Sequence, residues 1–221
     1  MKRLLFPICA FAVALVGAGS ASATPILTPG LSVASGGITF TNFTCAFTGS
    51  GMSQGSCSSI DVAALTPSPA GIQFSTNLAV LGNSSADASL TFSLASLTGI
   101  NDIGLDFNSN FFGREINSVT EDVYSALGGN LVGTATVMCG TLTGCAATTS
   151  DNIALSGTYS NLYITKDINL SGYTNRSSGT VSIVQQTFDA ATPTPEPFSL
   201  GMIGGGLAIL GLVRIRRNKK A

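Results

Sequence analysis

The chain has 221 residues, a formal net charge of −1, no histidine and no tryptophan. Its charge is segregated: residues 24–192 hold Arg114, Lys166 and Arg176 against ten acidic residues, and every other basic side chain lies near one of the two ends. A body of that sign excludes nucleic-acid binding by phosphate neutralisation, and the lack of histidine excludes Ser-His-Asp or Cys-His catalysis and histidine-ligated metals.

Taken from the start, Met1-Lys2-Arg3 is a charged region, Leu4 to Gly17 an apolar one, and Ala21-Ser22-Ala23 an A-x-A cleavage site. Residues 1–23 therefore read as a secretory signal helix that is removed, placing the mature chain outside the cytoplasm. Cys9 leaves with it. Four cysteines remain, Cys45, Cys57, Cys139 and Cys145. In an exported chain an even number reads as disulfides, and the spacing favours Cys45 with Cys57 and Cys139 with Cys145. A zinc site is disfavoured by the export route and the absence of C-x2-C spacing.

The body, residues 24–190, is long enough for one domain with a core. It is rich in glycine and serine, but apolar β-formers recur at strand spacing, which distinguishes it from a disordered segment. Ile38 and Phe40 alternate with threonines, and Phe43, Cys45 and Phe47 continue on the opposite parity. That change predicts a bulge or a strand crossing between faces near Asn42. A loop is expected over Gly49 to Ser59, and a break at Pro67-Ser68-Pro69. Ile72 to Val80 and Leu90 to Leu94 each show a period of two, with Gly82-Asn83-Ser84-Ser85 as the expected turn between them. Ile103, Leu105 and Phe107 form another strand. Ile116 to Leu127 and Leu131 to Met138 flank Gly128-Gly129-Asn130 and predict a hairpin. Tyr159 to Leu170 and Thr180 to Phe188 complete the set. Short strands with regular turn signals predict an all-β, antiparallel β-sandwich.

Few residues in this body point to chemistry. Lys166 is its one lysine, and beside Asp167 on an alternating strand it reads as half of a solvated pair, not of a Ser–Lys dyad. Glu115 and Glu121 are an even number apart and share a strand face, at about 20 Å along the strand. A glycosidase pair needs about 5–10 Å, so the two read as a solvent face, with Asp122 on the other side. Asp106, Asn108 and Asn110 open like a calcium loop, but Phe111 and Asn117 occupy the glycine and glutamate positions. Neither a metal nor a cofactor is expected. Sugar binding usually uses exposed aromatic rings; the chain has no tryptophan and only four tyrosines, Tyr124, Tyr159, Tyr163 and Tyr173, and its phenylalanines fall mainly on the apolar, core-facing parity, which counts against a specific glycan site. Asn42, Asn83, Asn169 and Asn175 each begin an N-x-S/T triplet.

The chain closes on three parts in order. A linker over 191–197 ends in Pro195-Glu196-Pro197, where prolines prevent helix or sheet from continuing. Residues 198–213 are apolar or glycine except for Ser199, with Gly201 and Gly205 in G-x-x-x-G spacing, and as a transmembrane helix would span roughly 24 Å. Residues 214–221 carry Arg214, Arg216, Arg217, Lys219 and Lys220, which orient the tail towards the cytoplasm. This three-part pattern over about 193–220 resembles the PEP-CTERM sorting tail of Gram-negative bacteria. The runs GGITFTNFTC, SVTEDVYS, LYITKDINLSG and GTVSIVQQTFDAATPTPEP resemble blocks of small PEP-CTERM proteins. The resemblance implies an exosortase-type membrane protease as partner, transient anchoring in the inner membrane, and cleavage near the triplet. It also implies a final place at the cell surface or in the extracellular matrix. The reading is a non-enzymatic structural protein. The alternative is an anchored module that binds glycan or exopolysaccharide.

Overall fold

The computed structural model describes residues 22–65, 69–141 and 149–190. The expected signal helix, the Pro67 break, the linker, the transmembrane segment and the basic tail lie outside these residues. Among those described, nine strands pair in antiparallel fashion throughout, as the all-β reading expected. They are β1 (Thr24–Pro25), β2 (Val33–Ser35), β3 (Ile38–Gln54), β4 (Asp61–Leu65), β5 (Gly71–Phe112), β6 (Glu115–Tyr124), β7 (Leu131–Gly140), β8 (Ser150–Gly172) and β9 (Ser178–Ala190). A single 3-10 turn, Cys57–Ser59, stands between β3 and β4.

The pairing resolves into two layers. In one, residues 71–81 of β5 lie between β4 and β9, and β9 pairs on its other side with residues 100–112 of β5. In the other, β3 pairs with residues 85–96 of β5, which pair with residues 161–171 of β8, followed by β6 and β7. Aromatic side chains join the layers face to face. Phe40 on β3 meets Phe188 on β9 at 5.3 Å between ring centroids, and Phe74 meets Phe92 at 5.7 Å. All four are buried. The arrangement is sandwich-like, with its core between two inward-facing sets of alternate residues.

The period of two was legible in sequence, but two of its interruptions were misread. Gly82 to Ser85 is not a hairpin turn. The backbone stays extended, and the chain passes from one layer to the other. Gly82 takes φ 70° there, and Gly99, at φ 79°, marks the return. Only glycine adopts these values at little cost. The expected loop from Gly49 is likewise strand as far as Gln54, with a register shift at Gly51 (φ 64°). Near Asn42, by contrast, the parity change is a bulge: Asn42 has φ 56° and the register slips between Thr41 and Thr44. The extra residue keeps Phe40 and Phe43 on one side, so both rings pack on Phe92.

The predicted hairpin is β6–β7. Its strand ends at Tyr124, and Ser125 N–H donates to Asn130 O at 2.9 Å across the turn. Cys45 and Cys57 form a disulfide, with Cα atoms 5.7 Å apart, tying β3 to the 3-10 turn. Cys139 is also disulfide-bonded, and Cys145, its expected partner, lies outside the described residues.

Phe92 touches three other aromatic rings, so truncation leaves a cavity bordered by both layers. Phe92→Ala is expected to lower the unfolding free energy by about 3–5 kcal/mol, measured by equilibrium denaturation at constant pH.

Candidate functional site

Strand β6 turns every second side chain into the sandwich, and that row is Glu115, Asn117, Val119, Glu121 and Val123. Glu115 and Glu121 do share a face, as their spacing required. The face is the interior, not solvent. The opposing layer covers it, a fact that parity along one strand cannot carry. Lys166 is corrected in the same way. It lies between Ile164 and Ile168 on the inner side of β8, directly across from Glu121, while Asp167 faces outward near Asp87.

Lys166 Nζ donates to Glu121 Oε2, and the side-chain amide of Gln186, on β9 in the other layer, donates to Glu121 Oε1. All three residues are completely buried. Loss of hydration pushes the Glu121 carboxyl up, opposed by the Lys166 charge; loss of hydration likewise pushes the Lys166 amine down, opposed by Glu121. Both shifts favour neutral partners, as expected for ionisable groups taken out of water.

A second feature lies at one end of the layers, where two turns meet. Tyr173 N–H donates to Arg114 O at 2.9 Å, and Ser177 Oγ donates to the same carbonyl at 2.6 Å. The turn after Phe112 is thereby laid against the turn joining β8 to β9. Gly113 (φ 75°) permits the approach, since a Cβ there would sit 2.9 Å from Arg176 O. Arg114, Glu115, Ile116, Thr141 and Tyr173 line a cleft of about 260 Å³. Phe112 and Tyr173 are 70% and 57% exposed, and Arg114 and Arg176 are also exposed. With Lys166 buried, these two arginines are the only cations on the described surface, and neither is ion-paired among the described residues.

Glu115 closes the inner wall of this cleft. No described group donates a hydrogen bond to either carboxylate oxygen, and the carboxylate fills the space left by Gly179, whose missing Cβ would lie 1.3 Å from Oε1. Burial, opposed in part by the nearby Asn117 amide, pushes the Glu115 carboxyl up to about 7.

The other sequence candidates are dispersed. Asp106, Asn108 and Asn110 alternate along the outer side of β5, where an extended strand separates them instead of wrapping them round an ion. Tyr124 and Tyr163 pack on each other at 6.3 Å, and the Tyr159 hydroxyl bonds to Ser156 Oγ at 3.0 Å. Asp122 accepts from Thr134 Oγ1 at 2.7 Å. The triplet Pro195-Glu196-Pro197 and the five basic tail residues lie outside the described residues. Sequence reasoning missed Gln186 and the meeting of the turns that carry Arg114 and Arg176. Gln186 did carry a signal: it is polar at an apolar parity, between Val184 and Phe188.

No protein-family model matches the chain, and no curated protein does. Among solved structures it is similar to the carbohydrate-binding module TmCBM61 in complex with β-1,4-galactotriose, at TM-score 0.35 and 15% identity, covering 65% of this chain and 88% of that one. It is also similar to the enzymatically active domain of a bacteriophage tailspike protein, at TM-score 0.34 and 13% identity, covering 67% of this chain and 19% of that one. A structure of carbohydrate-binding modules from the β-sandwich superfamily follows, at TM-score 0.33 and 11% identity, covering 68% of this chain and 57% of that one. Similarity of this degree assigns no ligand and no activity.

The Glu115 environment makes stability depend on pH. A carboxyl whose pKa is raised by folding favours the native state at low pH, and that contribution is lost as pH rises from about 4.5 through about 7. Glu115→Gln removes the titration. Its melting temperature relative to the parent is expected to rise between pH 4.5 and pH 8, as read by thermal unfolding across that range.

Proposed function

We propose that the body is a non-enzymatic glycan-binding module of an exported surface or matrix protein, directed at acidic exopolysaccharide. The observation that carries this reading is the convergence of Arg114, Arg176, Tyr173 and Phe112 at one end of an otherwise acidic domain. A guanidinium pairs with a carboxylate in two-point geometry. An exposed ring offers an apolar face to a sugar ring, with its hydroxyl or edge left in water. Together they suit a uronate-bearing chain better than a neutral one. The body's own negative charge repels such a polymer elsewhere, so binding is confined to this end.

Delivery is part of the same proposal. The signal-like N-terminus and the resemblance of residues 193–220 to a PEP-CTERM tail support export, transient membrane anchoring and processing by an exosortase-type protease.

Polygalacturonic acid and neutral dextran serve as probes in affinity electrophoresis. The acidic polymer is expected to retard the protein and dextran is not. Arg114→Ala and Arg176→Ala should each weaken retardation about tenfold or more, from the loss of about 1.5–3 kcal/mol in charge-assisted bonds. Equal mobility in the presence and absence of polygalacturonate would reject the ligand class. For the tail, protein recovered from the cell surface is expected to end near Pro197 by intact-mass analysis. A mature pool ending at Ala221 would reject processing.

A further inference from the structure

The Lys166–Glu121–Gln186 group takes no part in the surface site, and its composition is unusual for the centre of an apolar sandwich. It contains a primary amine, a carboxyl and a carboxamide. The carboxyl lies between the other two, holding the amine on one oxygen and the amide nitrogen on the other. All three are shut off from water. Each comes from a different strand, β8, β6 and β9, and Gln186 reaches across from the opposite layer.

We propose that Lys166 and Gln186 become joined by an isopeptide bond, formed within the folded body with Glu121 as proton carrier and ammonia as by-product. In this step the Lys166 Nζ lone pair attacks Gln186 Cδ. The Nζ–Cδ bond forms as the Cδ–Nε2 bond breaks. Glu121 delivers a proton to the departing Nε2 and takes one from Nζ, so it ends as it began. The amine and amide become a secondary amide and ammonia, with no oxidant or co-reactant.

Three observations support the step. The reacting groups are held on the two oxygens of one carboxylate, which removes much of the entropic cost of bringing them together. Burial favours the uncharged amine, the nucleophilic form, and the protonated carboxyl, the form that can donate to a leaving nitrogen. Gln186 Oε1 has no hydrogen-bond partner among the described residues, so its one contact with Glu121 orients the amide.

Trypsin reads the bond directly, because the body offers it only Arg114, Lys166 and Arg176. The exported protein is recovered from the cell surface, reduced, alkylated and digested. The expected product is peptide 115–176, uncut at Lys166 and covalently joined to the peptide that begins at Ser177. Its mass should be one ammonia less than the sum of the two. Separate peptides 115–166, 167–176 and the Ser177 peptide would overturn the proposal. So would a free 115–176 peptide lacking one water, which would place the bond between Lys166 and Glu121 instead. Glu121→Ala leaves both reacting residues present, and the joined peptide is expected to form about a hundredfold more slowly or not at all. Undiminished joining in that variant would overturn the role of Glu121. Should the variant not fold, the digest of the parent protein decides the bond by itself.

Discussion

Both layers hang on one extended run of 42 residues, β5, which pairs with β3, β4, β8 and β9. Its backbone groups are satisfied first in one layer, then in the other, then in the first again. Buried amide groups without partners are expensive, so the two crossings restrict where the remaining strands can lie. Glycine at Gly82 and Gly99 makes the crossings possible. The phenylalanines on either side of the gap then hold the layers together, with Phe92 touching Phe40, Phe43 and Phe74.

Within that apolar gap, the Lys166–Glu121–Gln186 group is the principal departure from hydrophobic packing. A buried ion pair is weak evidence for stability, because desolvation offsets most of the Coulombic gain. Here the neutralising shifts on both partners reduce the charge that must be buried. The hydrogen bond from Gln186 ties the group to the opposite layer. The contact is therefore directional where the surrounding aliphatic contacts are not, and it specifies how β9 sits over β6.

The surface end follows from the same layering. Where β5 passes to β6 and β8 to β9, the two turns must lie side by side, because the strands they join already do. The result places Arg114 beside the turn bearing Arg176, with Tyr173 and Phe112 exposed. These residues are separated by some sixty positions in sequence, and their meeting is a property of topology. A surface otherwise furnished with carboxylates and hydroxyls thus concentrates both of its cations at one edge.

The local pattern by itself determined a good deal. Alternation at residues 72–80, 90–94, 103–107 and 180–188 reflects the two-residue pleat, and the parity change at Asn42 reflects one extra residue. These depend only on neighbours along the chain. Parity also placed Glu115 with Glu121 on one face. It could not say whether that face would meet water, because the cover comes from other strands, β9 far along the chain and the end of β5 folded back over β6. Yet Val119-Thr-Glu121-Asp-Val123, Ile164-Thr-Lys166-Asp-Ile168 and Val184-Gln-Gln186-Thr-Phe188 each set a polar residue at an apolar parity. That signal was present in all three strands. Only the tertiary structure decided that the three exceptions converge, because complementary hydrogen bonding is settled by which strands the two layers bring together.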